Sequence, residues 1–369
     1  MIPVNEPLLD GNERKYLNEC LDTGWISSEG PFLKRFEEEF ARVAGRRHAV
    51  AVANGSMALD AAVEALGIEK GTEVILPSFT IISCAAAIVR AGLVPVPVDA
   101  DPITWNIDIG LLEAALTPRT RAIMVVHIYG LPCDMDPILA FAQRHGLNVI
   151  EDAAEMHGQV YRDRPCGSFG DVSTFSFYPN KHVTTGEGGM IVTDSETIAE
   201  KCRSLRNLCF MPGRRFVHEE LGYNMRMTNL QAALGVAQLE RLTEFVARKR
   251  RMGQLYTELL GDIPSIQLPL AQTDYARNIY WVYGIILGAD VPFDATEAMK
   301  RLAAKGVGVR PFFWPMHEQP VLRRLGFSAG VRCPVSERMA RRGFYVPSGL
   351  ALTEAQIRDV ARAVREVLQ

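Results

Sequence analysis

The sequence has little that would place it among binders of nucleic acid, metal or membrane. Lysine and arginine nearly balance aspartate and glutamate, for a formal net charge of −3. No basic block of the kind nucleic-acid and membrane-surface binders carry is present. The seven cysteines, Cys20, Cys84, Cys133, Cys166, Cys202, Cys209 and Cys333, are scattered and odd in number. They show no CxxC or zinc spacing and are expected to be reduced thiols. His127, His157, His182 and His317 form no HExxH, so no metal site is expected. GxGxxG and GxxxxGK[ST] are absent, which argues against nicotinamide and NTP chemistry. No apolar run nears the roughly 20 residues needed to span a bilayer. The opening MIPVNEPLLDGNE has no charged segment followed by an apolar one, so no signal peptide is expected. A cytoplasmic protein without membrane or nucleic-acid partners is the expectation.

What is present is an ordinary soluble composition, 48% hydrophobic and 22% charged, over 369 residues. That length suits two domains. After helices expected over Gly11–Asp22 and Phe32–Ala44, apolar strands alternate with helices. Strands are read at His48–Ala53, Glu73–Pro77, Val94–Val98, Arg121–Val126, Leu147–Ile150, Val172–Phe177 and Met190–Thr193. Such alternation implies an α/β fold with a mostly parallel seven-stranded sheet covered on both faces. Met227–Met252 reads as one long helix. Beyond it, strands at Trp281–Leu287 and Val307–Phe312 and helices at Ala295–Lys305 and Thr353–Leu368 suggest a smaller α+β domain. The expected division is 1–245 and 246–369, with the first eleven or so residues packing on the smaller part.

In open parallel sheets, ligands sit outside the carboxyl ends of the strands. Asn54-Gly55-Ser56, His127 and Asp152 all fall at such ends. Asn54-Gly55-Ser56 opens a helix and suits a phosphate, although Asn and Ser serve equally well as plain caps. Asp152 is either a solvated strand-end carboxylate or a buried acid whose pKa a cationic partner depresses. Lys181 lies between an apolar strand and Gly186-Glu187-Gly188-Gly189. A lysine held between core strands is partly desolvated, which lowers its pKa as a Schiff-base lysine requires. Ser176 ends the strand before it and could reach a phosphate. A lysine, an aspartate and a phosphate cradle together suit pyridoxal phosphate.

With these pieces in place the chain resembles, over essentially its whole length, the DegT-type nucleotide-sugar aminotransferases. The resemblance is carried by LDGNERKYLNECLDTGWISSEGPF, VANGSMAL, GTEVILPSFT, VHIYGLPCDMDPI, VIEDAAE, TFSFYPNKHVTTGEGGM, GYNMRMTNLQAALGVAQLERL and VRPFFWPMH. It implies an aspartate-aminotransferase-like fold (fold type I) with pyridoxal 5'-phosphate as cofactor. Within the family the chain is most similar to the GDP-perosamine synthases. By matching position, Lys181 is implied as the Schiff-base lysine, Asp152 as the partner of the pyridine nitrogen, and Glu155 as a neighbour of the ring hydroxyl. Gly55, Ser56 and Ser176 match phosphate-binding positions, and Asn224 matches a phosphate contact from the second subunit of a homodimer. Trp25, Arg310 and His317 are the implied contacts with the sugar or its nucleotide. Where the family commonly stacks an aromatic on the ring, this chain has Ile81, which forgoes a stacking gain of roughly 0.5–1.5 kcal/mol.

The implied reaction moves an amino group from L-glutamate to a nucleotide-linked keto sugar, with GDP-4-dehydro-6-deoxy-D-mannose as acceptor and GDP-perosamine as product. The alternatives are a dTDP- or UDP-linked 3- or 4-keto sugar, or a non-catalytic regulatory relative. A related sugar 3-dehydratase has histidine in place of the lysine, and Lys181 argues against it.

Overall fold

Short runs of Val, Ile, Ala and Leu that cannot be solvated on either side become the strands of a central sheet. The computed structural model describes all residues except 212, 215, 329 and 369. Its strands are β1 (His48–Val52), β2 (Glu73–Pro77), β3 (Val94–Val98), β4 (Thr120–Val126), β5 (Asn148–Asp152), β6 (Val172–Ser176) and β7 (Gly189–Thr193). They form one seven-stranded sheet in the order β1-β7-β6-β5-β4-β2-β3. The β3–β2, β2–β4, β4–β5 and β5–β6 pairs are parallel, and β7 runs antiparallel to both β1 and β6.

The two-residue period of a strand divides each apolar run between two cores. Ala49, Ala51, Ile123 and Val125 face one, while Val50, Val52, Ala122 and Met124 face the other. Helices α1 (Glu13–Thr23) and α2 (Pro31–Ala44) belong to the first side, and α3 (Gly55–Ala65) and α4 (Ile82–Arg90) to the second. On α2, Phe32, Phe36 and Phe40 share one face, as their spacing predicts. Phe40 meets Phe175 at 4.8 Å and Phe177 at 5.1 Å, both edge to face, and thereby braces the strand and loop that lead to Lys181. Phe40→Ala is expected to cost about 3–5 kcal/mol. Chemical denaturation should show that loss as a lower midpoint.

Helices α5 (Met135–His145) and α6 (Glu196–Arg206) complete the covering of the sheet. The single long helix expected from 227 to 252 is two helices, α7 (Asn229–Leu239) and α8 (Leu242–Leu260). The joint is held by charge. Glu240 accepts hydrogen bonds from Asn12 (2.7 Å), Tyr16 (2.6 Å) and Arg35 (2.9 Å), and Arg241 pairs with Asp10 and Glu244. Apolar residues continue across the joint in helical register, so the hydrophobic pattern carries no mark of it.

The C-terminal part is an antiparallel sheet of β8 (Ile266–Gln267), β9 (Tyr283–Leu287), β10 (Arg310–Pro311) and β11 (Gly343–Val346), in the order β8-β9-β11-β10. Helices α9 (Ala295–Ala304), α10 (Pro334–Arg342) and α11 (Glu354–Leu368) pack around it. The strand expected over Val307–Phe312 shrinks to Arg310–Pro311, because Val307 and Gly308 engage the N-terminus instead. Ile2 bridges to Val307, and Gly308 donates to the Ile2 carbonyl. Position 245 falls inside α8, whose Leu242 and Val246 join the first core while Leu255, Tyr256 and Leu260 join the C-terminal one. All seven cysteines are buried free thiols. Among the described residues no helix is long and apolar enough to cross a membrane.

Candidate active site

The carboxyl ends of the central strands open onto a cavity of about 700 Å³. Gly55, Ser56, Ile81, Asp152, Glu155, Ser176 and Lys181 all line it, so residues far apart in sequence meet in one place.

One end of the cavity is built by the turn after β1. Asn54 is extended and its side chain accepts the Met57 N–H at 3.0 Å, so it is the helix cap that its residue type suggests. That leaves the first N–H groups of α3, on Gly55 and Ser56, free of intrahelical partners at the positive end of the helix dipole. Ser56 shares a hydroxyl hydrogen bond with Ser83 at 2.7 Å. A side chain on Gly55 would put its Cβ 2.6 Å from the Cβ of Ser176, so only glycine lets the helix start close to the end of β6. Gly189 is needed for a related reason, since a Cβ there would lie 2.4 Å from the Asn54 carbonyl. Gly55→Ala is expected to push α3 away and forfeit a charge-assisted contact. A phosphate-bearing ligand would then bind about ten- to a hundredfold more weakly, which titration of the apoprotein with pyridoxal phosphate should register.

The opposite end is acidic. Asp152 ends β5 and is buried; Oδ1 accepts the Ala154 N–H at 3.0 Å and Oδ2 the Cys84 thiol at 3.3 Å. Burial pushes its carboxyl up, with these hydrogen bonds and the charge of Lys181 opposing more weakly. The sequence had suggested a depressed value, which presupposes a cation in contact with the carboxylate. Without one, desolvation dominates. A buried carboxylate short of a counter-charge suits a protonated ring nitrogen, and the helix start across the cavity suits a phosphate. The donor set therefore fits pyridoxal phosphate.

His127, at the end of β4, also lines the cavity. Its Nδ1 accepts the Cys133 N–H at 3.1 Å, so Nε2 carries the proton and donates to Glu151 at 3.0 Å. Glu151 takes further hydrogen bonds from Gly167, Phe169 and Ser173. Although burial alone would raise its pKa, these donors hold it below the usual carboxylate range.

Lys181 stands between these ends. Its side chain is 9% exposed, with Nζ 3.7 Å from Glu155 Oε1. Burial lowers its pKa, with Glu155 and Asp152 pulling the other way. Glu155 is pushed up to about 7 by burial, against the opposing influences of Lys181 and the Tyr129 N–H, which donates to it at 2.6 Å. Tyr129 makes that contact from a left-handed backbone, φ 58°, a strained conformation for an aromatic residue. The loop carrying the lysine is tied at three points. Lys181 N–H donates to Tyr178, Asn5 to the Pro179 carbonyl, and the Trp281 indole to the Asn180 carbonyl.

Ile81 caps α4 at the cavity wall and is 46% exposed. The remaining expected residues lie elsewhere. Asn224 is exposed on the segment between α6 and α7, outside this chain's own cavity. Trp25 is half exposed, its carbonyl accepting the Asn229 amide at 2.7 Å. Arg310 lines a neighbouring cavity of about 230 Å³ that shares Tyr178, Asn180 and Tyr345 with the main one. His317 is buried away from the cavity, bonded to Ser78 at 2.7 Å and Glu337 at 3.1 Å. With both ring nitrogens engaged, it pegs α10 to the end of β2. Trp281, Phe313 and Tyr345 form a wall of the cavity that sequence reasoning missed. They come from the C-terminal part, and no local motif marks them.

A sequence profile of the DegT/DnrJ/EryC1/StrS aminotransferase family matches residues 7–365. The GDP-perosamine synthase of Caulobacter vibrioides is 46% identical over 367 residues, covering 100% of this chain and 98% of that protein. Among solved structures, DesV of S. venezuelae matches with a TM-score of 0.89 at 35% identity, over 96% of this chain and 94% of that one. The E. coli GDP-4-keto-6-deoxy-D-mannose-3-dehydratase with bound hydrated PLP matches with a TM-score of 0.89 at 25% identity, over 100% and 99%. The chain belongs to the DegT/DnrJ/EryC1/StrS aminotransferase family and is a pyridoxal-phosphate-dependent enzyme.

Proposed function

We propose that this enzyme transfers the amino group of L-glutamate to C4 of GDP-4-dehydro-6-deoxy-D-mannose, forming GDP-perosamine, and that it works as a homodimer. The observation that carries this reading is Lys181 lying in one cavity with Asp152 and the start of α3. The choice of sugar rests on the full-length similarity to the Caulobacter GDP-perosamine synthase.

Gly55, Ser56 and Ser176 would hold the cofactor's phosphate through backbone N–H and hydroxyl groups. Asp152 would accept a hydrogen bond from the ring N–H and keep a proton on that nitrogen. When bound, pyridoxal phosphate supplies an electron sink for the carbon that loses or gains a proton. Lys181 Nζ moves that proton, as base in one half of the reaction and as acid in the other. Glu155, close to neutrality in its protonation balance and 3.7 Å from Nζ, supports the ammonium form of Lys181. Asn224 would serve the cavity of a second copy. Its exposure outside its own cavity supports this, as do the exposed apolar residues Val217 and Leu221 on the same segment.

The test is incubation with L-glutamate and a panel of GDP-, dTDP- and UDP-linked keto sugars, with product mass and amine position determined. Amination at C4 of the GDP sugar is expected. Turnover confined to dTDP or UDP sugars would overturn the substrate assignment.

A further inference from the structure

The chain turns sharply at residues 278–281 and thereby brings an indole against the amine of Lys181. Ile279 N–H reaches the Gly130 carbonyl at 3.0 Å, and Tyr280 N–H reaches Asn278 Oδ1 at 2.7 Å. Tyr280 adopts φ 50°, left-handed backbone that a bulky residue seldom takes. This turn, rather than a longer β9, is what aims Trp281 into the cavity.

Trp281 is 4% exposed and held at several points. Its indole N–H donates to the Asn180 carbonyl at 2.9 Å, in the residue next to Lys181. Its own carbonyl accepts from the buried ammonium of Lys249 at 2.8 Å, and Lys249 also donates to the Ser348 carbonyl. The ring lies nearly parallel to Phe313, at 14° and 6.5 Å between centroids. Lys181 Nζ sits 3.8 Å from the Trp281 ring centroid, well inside the roughly 6 Å over which an ammonium is attracted to a ring face. Glu155 lies at 3.7 Å, too far for a hydrogen bond.

We propose that Trp281 is a positioning residue for the transfer reaction: its indole face receives the Lys181 ammonium whenever that amine is unbonded and fixes its place in the cavity. The proposal rests on reading Lys181 as the reacting amine. A flexible four-carbon side chain freed in mid-reaction needs a resting place from which it can return. An aromatic face provides one without competing for the acceptors that the cofactor and substrate need.

The other groups acting on Lys181 are divided. Glu155, Asp152 and Cys84 favour its ammonium form, whereas His157, His182 and Lys249 interact with it as like charges when protonated. Burial keeps both histidines neutral near pH 7. The ring adds to the favourable side, so weakening its face should lower the pH at which Lys181 loses its proton.

The experiment uses the apoenzyme with tryptophan replaced at position 281 alone by analogues carrying one to four fluorines, which drain the ring face but keep its shape. The probe is reductive methylation by formaldehyde and cyanoborohydride across pH, quantified on the Lys181 peptide by mass spectrometry. The inflection should fall stepwise, by about 0.4–1.5 pH units over the series, and Trp281→Leu should move it the same way. An inflection that stays within about 0.2 units across folded analogues overturns the proposal. The reading of Lys181 as the reacting amine fails separately, if Lys181→Ala retains the glutamate half-reaction.

Discussion

Lys181→Ala should bind pyridoxal phosphate without a covalent bond and lose the half-reaction with L-glutamate by at least about 10³-fold. The fold should survive. The side chain lies in a cavity, and its loss leaves Glu155 free to stay protonated, since burial already pushes that carboxyl up to about 7. Glu155 is therefore not stranded as a buried charge beside the gap. Binding should persist because the phosphate cradle at Gly55, Ser56 and Ser176 and the carboxylate of Asp152 are untouched. Two measurements separate the effects. Absorbance after gel filtration reports retained cofactor, and rapid mixing with glutamate reports formation of the pyridoxamine form. Conversion at the wild-type rate would remove Lys181 from its assigned role. A small primary amine added to the mutant should restore part of the rate, because the vacated cavity can admit it.

The parts of this molecule that were legible in the sequence are those where cause and consequence are close along the chain. Strands β2 and β3 are apolar on both faces and end at turn residues, so their limits could be read residue by residue. One side of the cavity could be read in the same local way, because Gly55, Asp152 and Ser176 sit at or just beyond the carboxyl ends of β1, β5 and β6. Other features depend on partners far away in sequence. Helix α6 buries only Ala199, Cys202 and Leu205 against the sheet, too sparse a stripe to stand out among its charges. The α7–α8 joint is made by Asn12, Tyr16, Arg35 and Asp10 pulling on Glu240 and Arg241. His317 carried a promising motif, yet its surroundings at Ser78 and Glu337 make it a structural peg. Trp281 and Tyr345 face Lys181 only because the C-terminal part folds over the strand ends, which no local pattern encodes. The division is physical: periodicity reports which face is buried, whereas tertiary contact decides what buries it.

Asp152→Asn should separate stability from catalysis. Asparagine keeps an oxygen for the Ala154 N–H but cannot hold a proton on the cofactor's ring nitrogen by charge. The half-reaction with glutamate should fall by about 10²–10³-fold, the scale seen when one preorganised electrostatic partner is removed. Cofactor binding should weaken far less than the rate, because the phosphate contacts remain. The apoprotein should respond in the opposite sense. Burial raises the Asp152 pKa above its ordinary 3.8. In the interval above 3.8 the folded chain therefore keeps a proton that the unfolded chain has lost. There the unfolded state binds fewer protons, so stability falls as pH rises through that interval. Asparagine carries no charge to bury and escapes the loss. Melting temperatures of the two apoproteins across pH 4–8 should accordingly diverge in favour of Asp152→Asn as pH increases. A mutant that melts lower than the wild type throughout, or that turns over glutamate at the normal rate, would mean that Asp152 is a structural anchor. The expected pattern is that of a functional carboxylate kept at the expense of the empty fold and made favourable by the cation it awaits.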